Sequence, residues 1–170
     1  VEKSGKWWAL VAKFRGVYPT TIDGKGRTSL PARFREILVE SFGDDRFFLT
    51  NSSPVDLGDG SYSSGLLIFP YKEFALFEEK FQQSRGLTPA QRESIINIII
   101  NPAVELSADK LGRFLVPPQM RKDAALERDI LFVAAMDKIK IWSQPEWEKV
   151  LTQNIRNFPS GSEAAAELGL

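Results

Sequence analysis

Apolar residues in this chain recur in two rhythms: short strand-like runs bounded by Gly, Asp and Pro, and longer stretches where large side chains return every three or four positions. Residues 17–22 and 26–30 read as short strands around a turn supplied by Asp23-Gly24-Lys25-Gly26, residue types that tolerate or stabilise left-handed backbone. Pro31 suits the first position of a helix reaching about Phe42, with Phe34, Ile37 and Leu38 on one face and Gly43 as its stop. Further strands are predicted at 46–50 and 65–69, separated by a Ser-, Gly- and Asp-rich stretch at 51–64 that reads as an exposed excursion. A helix anchored by Phe74, Phe77 and Phe81 follows.

Residues 87–102 read as a connecting helix. Thr88 and Gln91 have the spacing of a capping box, and Asn101-Pro102 stops the run Ser94-Ile95-Ile96-Asn97-Ile98-Ile99-Ile100. Isoleucine favours strands, but the caps and the length predict a helix, and its sparse polar surface predicts burial or contact with another subunit. Strands are then predicted at 129–134 and 138–142, joined tightly around Met136-Asp137. The next helix opens on Ser143-Gln144-Pro145-Glu146, a second capping-box pattern, and carries Trp147, Val150 and Leu151. Residues 157–170 turn to Pro, Gly, Ser, Glu and Ala and are expected to form a flexible tail. Residues 1–13, with Trp7 and Trp8, form a leader whose apolar stretch is too short for the centre of a signal peptide, and no window has the length of a membrane span.

The stretch Asp23-Gly24-Lys25-Gly26-Arg27-Thr28-Ser29-Leu30-Pro31-Ala32-Arg33-Phe34-Arg35 returns in recognisable form as Asp109-Lys110-Leu111-Gly112-Arg113-Phe114-Leu115-Val116-Pro117-Pro118-Gln119-Met120-Arg121. At one constant offset Asp23, Gly26, Arg27, Pro31 and Arg35 fall on Asp109, Gly112, Arg113, Pro117 and Arg121. Two copies of one supersecondary unit usually bury their faces against each other. The chain therefore reads as two halves, 14–86 and 103–156, around a pseudo-twofold axis. The later alignment of Phe74 with Trp147 extends the duplication to the ends of both halves.

Composition narrows the chemistry. With 170 residues, 43% of them hydrophobic, the chain can bury a sizeable core. It contains no Cys and no His, which removes disulfides, Ser-His-Asp and Cys-His catalysis, and zinc sites of the usual ligand types. The formal net charge is zero, so attraction for nucleic acid must come from clustering. Lys13, Arg15, Lys25, Arg27, Arg33 and Arg35 face the single acid Asp23 over one short segment. The second copy is more balanced, because Glu105, Asp109, Asp123 and Glu127 offset Lys110, Arg113, Arg121, Lys122 and Arg128.

The repeated Asp-x-x-Gly-Arg reads as a turn that fixes an arginine at the lip of a small β-barrel: Asp accepts from turn backbone or from the guanidinium, and Gly permits the tight path. A fixed guanidinium suits phosphate or the paired acceptors of guanine. The plain alternative is a capped hairpin turn with an ordinary surface ion pair, but a turn alone does not require the arginine to recur. Candidate DNA-binding residues are therefore Arg15, Asp23, Lys25, Gly26, Arg27, Arg33, Arg35, Asp109, Lys110, Gly112, Arg113 and Arg121, with Lys13 and Arg15 expected to reach phosphates from the same end. Two carboxylates related by a pseudo-twofold also suggest an aspartic-protease dyad. Asp23 and Asp109 lack the small hydroxyl residue and glycine expected after such acids, so no catalytic residue, metal or cofactor is assigned.

Phe14-Arg15-Gly16, the stretch from Asp23 through Glu36, Asp109-Lys110-Leu111-Gly112-Arg113, and Ile141-Trp142-Ser143 before Trp147 closely resemble the MraZ family of bacterial transcriptional regulators. The resemblance covers about residues 14–150. It implies an α+β fold, mainly β, of tandem AbrB-like swapped-hairpin (double-split) barrels with flanking helices, in ring-shaped homo-oligomers. It further implies a cytoplasmic, nucleoid-associated, non-enzymatic protein that binds short double-stranded DNA repeats upstream of the division and cell-wall gene cluster. The family's DNA-contacting loop carries over to residues 23–27 with its arginine at Arg27, and the equivalent second loop to residues 109–113. The leader, the 51–64 loop and the tail beyond about Phe158 depart from the family pattern. AbrB-like barrels also occur in antitoxins, so a protein-interaction module holding a partner through residues 157–170 is the alternative reading.

Overall fold

The structure, a computed structural model, describes residues 13–170, so the leader apart from Lys13 lies outside the described residues. Among the described residues there are ten strands: β1 (Val17–Thr21), β2 (Arg27–Ser29), β3 (Arg46–Asn51), β4 (Val55–Asp56), β5 (Tyr62–Ser63), β6 (Leu66–Pro70), β7 (Val104–Ser107), β8 (Arg113–Leu115), β9 (Asp129–Ala135) and β10 (Lys138–Ser143). The helices are α1 (Ala32–Phe42), α2 (Tyr71–Gln83), α3 (Pro89–Ile95), α4 (Pro118–Asp123), α5 (Gln144–Asn157) and α6 (Glu163–Glu167), with a π-helical turn Ile96–Ile100 directly after α3. The mixed composition, with an antiparallel sheet at its centre, makes this an α+β fold.

Strand pairing crosses between the halves. The six-stranded sheet runs β1-β9-β10-β6-β3-β7, and β2 pairs with β8 in a separate two-stranded ribbon. β1 of the first half lies on β9 of the second, from Val17↔Val133 to Thr21↔Asp129, and β7 of the second half lies on β3 of the first. The backbone of each opening hairpin closes on itself only at its turn, through Asp23 N–H to Arg27 O and Asp109 N–H to Arg113 O, and its strands take partners from the other half. The registers locate the pseudo-twofold axis: it passes through the ribbon at Thr28↔Phe114 and through the sheet at Leu67↔Lys140, each a pair of equivalent positions. Reciprocal hydrogen bonds follow, Leu30 N–H to Gly112 O at 2.7 Å and Val116 N–H to Gly26 O at 2.8 Å.

The main core fills the space enclosed by the sheet, the ribbon, α1 and α4, with Phe34, Leu38, Phe47, Phe132, Ile139 and Ile141 among its fully buried members. On the other face of the sheet, Phe74 of α2 packs over Leu67 and Phe69, and Val150 of α5 packs with Leu131, Val133 and Trp142. α1 ends where the sequence predicts, because Gly43 adopts φ 72° and its N–H reaches the carbonyls of Leu38 and Val39.

Four expectations change. Residues 51–64 are not a simple exposed excursion: β4 and β5 form a hairpin whose Val55 joins the Trp142 and Trp147 cluster, with Ser52 and Ser63 buried. The Ser143 capping box is half made. Ser143 Oγ accepts from Glu146 N–H at 3.2 Å, but the Glu146 carboxylate turns to Ser63 Oγ and Lys149 Nζ, because the extra hairpin brings Ser63 within reach. The isoleucine helix is helical over 89–100 but changes type part-way. The Thr88 and Gln91 box is complete, yet the backbone widens at Ile96 into the π turn, whose Ile98 and Ile99 carbonyls accept from Asn51 Nδ2 at 3.1 Å and Thr50 Oγ1 at 2.5 Å. Only Ile99 of the run is buried. Residues 157–170, expected to form a flexible tail, carry α6. Ser162 caps it by accepting from Ala165 N–H at 3.1 Å, and Gly169 near its end adopts φ 82°.

Candidate nucleic-acid interface

The two Asp-x-x-Gly-Arg segments fold into matching turns. Asp23 Oδ1 accepts from the backbone N–H groups of Lys25 and Arg27 at 2.9 Å each, and Oδ2 accepts from Arg27 Nε at 2.7 Å. Asp109 repeats this with Leu111, Arg113 and Arg113 Nε at 2.9, 2.9 and 2.8 Å. The backbone N–H of Arg27, then its side chain, holds the Asp23 carboxyl down at about 2; Arg113 lowers Asp109 in the same way. Both shifts favour the ionised carboxylate. A dyad sharing one proton requires a carboxyl raised above its ordinary value, and neither shows that.

Glycine at the fourth position is required twice over. Gly26 has φ 89°, and a Cβ there would sit 2.6 Å from Val116 O; Gly112 has φ 83°, and a Cβ would sit 2.9 Å from Leu30 O. The close approach of the two halves across the axis thus depends on a bare backbone at both turns.

Arg27 and Arg113 leave β2 and β8 on the same side. Arg27 pairs with Leu115 and Arg113 with Ser29, while the intervening Thr28 and Phe114 point into the core. The two arginines are therefore diagonal neighbours on one outward face, about 7–8 Å apart at the strand positions. Their side chains are 60% and 59% exposed. Each uses Nε on its aspartate, and among the described residues no hydrogen bond engages the Nη groups. The two turns line one open depression of about 750 Å³ together with Thr20, Thr21, Thr28 and Ser29.

The remaining candidates divide. Lys25 and Lys110 are exposed on the turns themselves. Arg33 is exposed on α1 and pairs with Glu36 at 3.1 Å. Arg35 and Arg121 are half-buried beneath the opposite half's turn, and Arg121 Nη1 donates to Gly24 O at 3.0 Å. Lys13 and Arg15 are placed differently from the expectation. Strand β1, on the order of 16 Å long at ~3.3 Å per residue, separates them from the turn, and Phe14 bridges to Met136 at the far hairpin. Leu111 and Leu115 are also exposed on the turn and ribbon, and Thr20, Thr21 and Ser29 line the depression, none of them singled out by the repeated motif. The strand alternation around Arg113 carried the signal for Leu115.

Among known proteins, the family described as "MraZ protein, putative antitoxin-like" matches residues 99–168. "Transcriptional regulator MraZ" of Geobacter metallireducens is 69% identical over 157 residues, covering 92% of this chain and 99% of that protein. The chain belongs to the MraZ family. The Geobacter sulfurreducens protein of the same name is 68% identical with the same coverage, and that of Solidesulfovibrio magneticus is 34% identical over 92% of this chain and 97% of its own length. The MraZ match runs to residue 168, so most of the tail that seemed to depart from the pattern lies within it.

Proposed function

We propose that this MraZ chain is a sequence-specific, double-stranded-DNA-binding transcriptional regulator that reads DNA through its two arginine turns. The observation that carries the reading is the pair of aspartate-held guanidinium groups on one outward face of the β2–β8 ribbon. A two-stranded antiparallel ribbon fits the major groove, and a guanidinium with free Nη groups suits guanine or phosphate. The exchanged opening hairpins support an AbrB-like swapped-hairpin barrel formed from tandem halves. In keeping with the family resemblance, the protein acts in the cytoplasm at the nucleoid, on short repeats upstream of the division and cell-wall genes, its own promoter included. A ring-shaped homo-oligomer lets several weakly binding subunits engage neighbouring repeats and gain through effective concentration. Among the described residues no helix is long and apolar enough to cross a membrane.

The test is an anisotropy titration of the parent protein against its upstream DNA and a scrambled duplex at several salt concentrations. About four phosphate contacts per subunit, from Lys25, Arg27, Lys110 and Arg113, give an affinity loss on the order of 100-fold between 50 and 200 mM salt. Equal binding to the scrambled duplex, or binding indifferent to salt, contradicts the reading. The antitoxin-like alternative draws on Ile155, Phe158, Leu168 and Leu170, all exposed near the C-terminus. A partner protein lost on deleting residues 157–170, with no DNA binding by the full chain, favours it.

A further inference from the structure

We propose that Arg121 is the positioning residue of the first arginine turn, a role that rests on reading the turns as DNA-binding heads. It sits in the last turn of α4, in the second half of the chain, and reaches across the axis to the tip of the first half's turn. Its Nη1 donates to Gly24 O at 3.0 Å, and its Nε and Cζ lie 2.8 and 3.0 Å from where a Cβ on Gly26 would stand. The guanidinium is thus packed directly under the peptide that presents Arg27.

The two sides of the turn's backbone are held by different residues. Asp23 takes the N–H groups of Lys25 and Arg27, and Arg121 takes the Gly24 carbonyl. A turn fixed at both its donors and its acceptor loses less conformational freedom when it meets a ligand. The second turn has only the first of these supports. Arg35 occupies the equivalent place, but its Nη1 stays 3.7 Å from the Cβ position of Gly112, and among the described residues no hydrogen bond joins it to the Lys110 carbonyl. The duplication is therefore unequal at this point: the first turn is held in its binding shape and the second is left to be set by DNA.

A direct DNA contact is the competing role, and it is poorly served by this geometry. Arg121 is half-buried, its Nε is enclosed with no hydrogen-bond partner, and Nη1 is engaged. The positioning role also requires a planar fork that can lie flat against Gly26 while donating sideways, which an ammonium cannot reproduce.

The experiment compares Arg121→Gln and Arg121→Lys with the parent by DNA anisotropy across salt and by amide NMR of the free proteins. Both variants are expected to bind upstream DNA about tenfold more weakly at every salt concentration, with the salt slope unchanged. A phosphate contact behaves otherwise: Arg121→Gln then lowers the slope by about one, and Arg121→Lys restores parental affinity. Either result overturns the proposal. In the free proteins the amides of Lys25 and Gly26 are expected to shift while those of Leu111 and Gly112 stay, and an unmoved first turn overturns the proposal whether or not the parent binds DNA. If Arg121→Gln does not fold, Arg121→Lys carries the same comparisons of affinity and turn amides.

Discussion

Arg27→Ala is expected to weaken specific binding to the upstream DNA about 100-fold, and Arg113→Ala about tenfold, at fixed salt. The guanidinium groups are equally exposed and held by equivalent aspartates, so the difference must come from their surroundings. Each tip carries one lysine, but Lys25 stands two residues before Arg27 where Leu111 stands two before Arg113, so the second tip's cation, Lys110, is one position further from its arginine. The first turn also has the Arg121 brace. Both side chains are more than half exposed and each loses only a surface ion pair, so far-UV circular dichroism should match the parent and the thermal midpoint should stay close to it. Arg27→Lys separates charge from shape: it keeps a phosphate contact but loses the two-pronged donor that guanine requires. Parental binding by both alanine variants would remove the turns from the mechanism.

Phe114→Ala is expected to destabilise the fold by about 3–5 kcal/mol, the usual range for deleting a buried aromatic side chain. For a chain of this size that lowers the thermal midpoint by roughly 6–20 °C. Phe114 lies at the pseudo-twofold axis with its ring edge-on to Phe47 at 5.3 Å and to Phe132 at 6.3 Å. It joins the ribbon that presents the arginines to the core formed by both halves. Its equivalent across the axis is Thr28, small, buried and donating from Oγ1 to Thr21 O at 2.9 Å. One large and one small side chain share the space, so truncating Phe114 leaves a cavity that Thr28 cannot fill. A midpoint within 2 °C of the parent would show that the ribbon is held by its backbone bonds alone.

The elements of this fold are largely written in local pattern, and their partners are not. Pro31, the Phe34-Ile37-Leu38 face and Gly43 delimit α1 closely, and Met136 at φ 66° makes the tight β9–β10 hairpin that its spacing predicts. Alternation assigns faces to strands but does not say which strand lies alongside. In a duplicated chain each opening hairpin has two chemically similar places to pair, so the exchange of β1 onto β9 and β7 onto β3 follows from the resemblance and not from spacing.

The site was legible to the extent that it repeats. Asp23 and Arg27 and their copies act locally, through contacts within four residues, and these survive in a sequence motif. The surroundings of Arg121 and Arg15 were not legible because they are tertiary. One turns to a backbone carbonyl of the other half, and the other is carried away from the turn by the length of an extended strand. Residues 51–64 look like solvent-exposed linker by composition, yet Val55 packs against the cluster around Trp142 and Ser63 finds Glu146, both distant in sequence.

Cross-linking from a single engineered thiol tests the central claim most directly, because the chain contains no cysteine. A photoreactive group on Lys25→Cys or Leu111→Cys would stand at the two tips. On Met136→Cys it would stand at the β9–β10 turn, beyond the opposite end of β1, at an equally open position. Irradiation with labelled upstream duplex should capture DNA from both tip positions and not from Met136→Cys. Capture from Met136→Cys with neither tip reacting would place the duplex on the other end of the molecule and contradict the account.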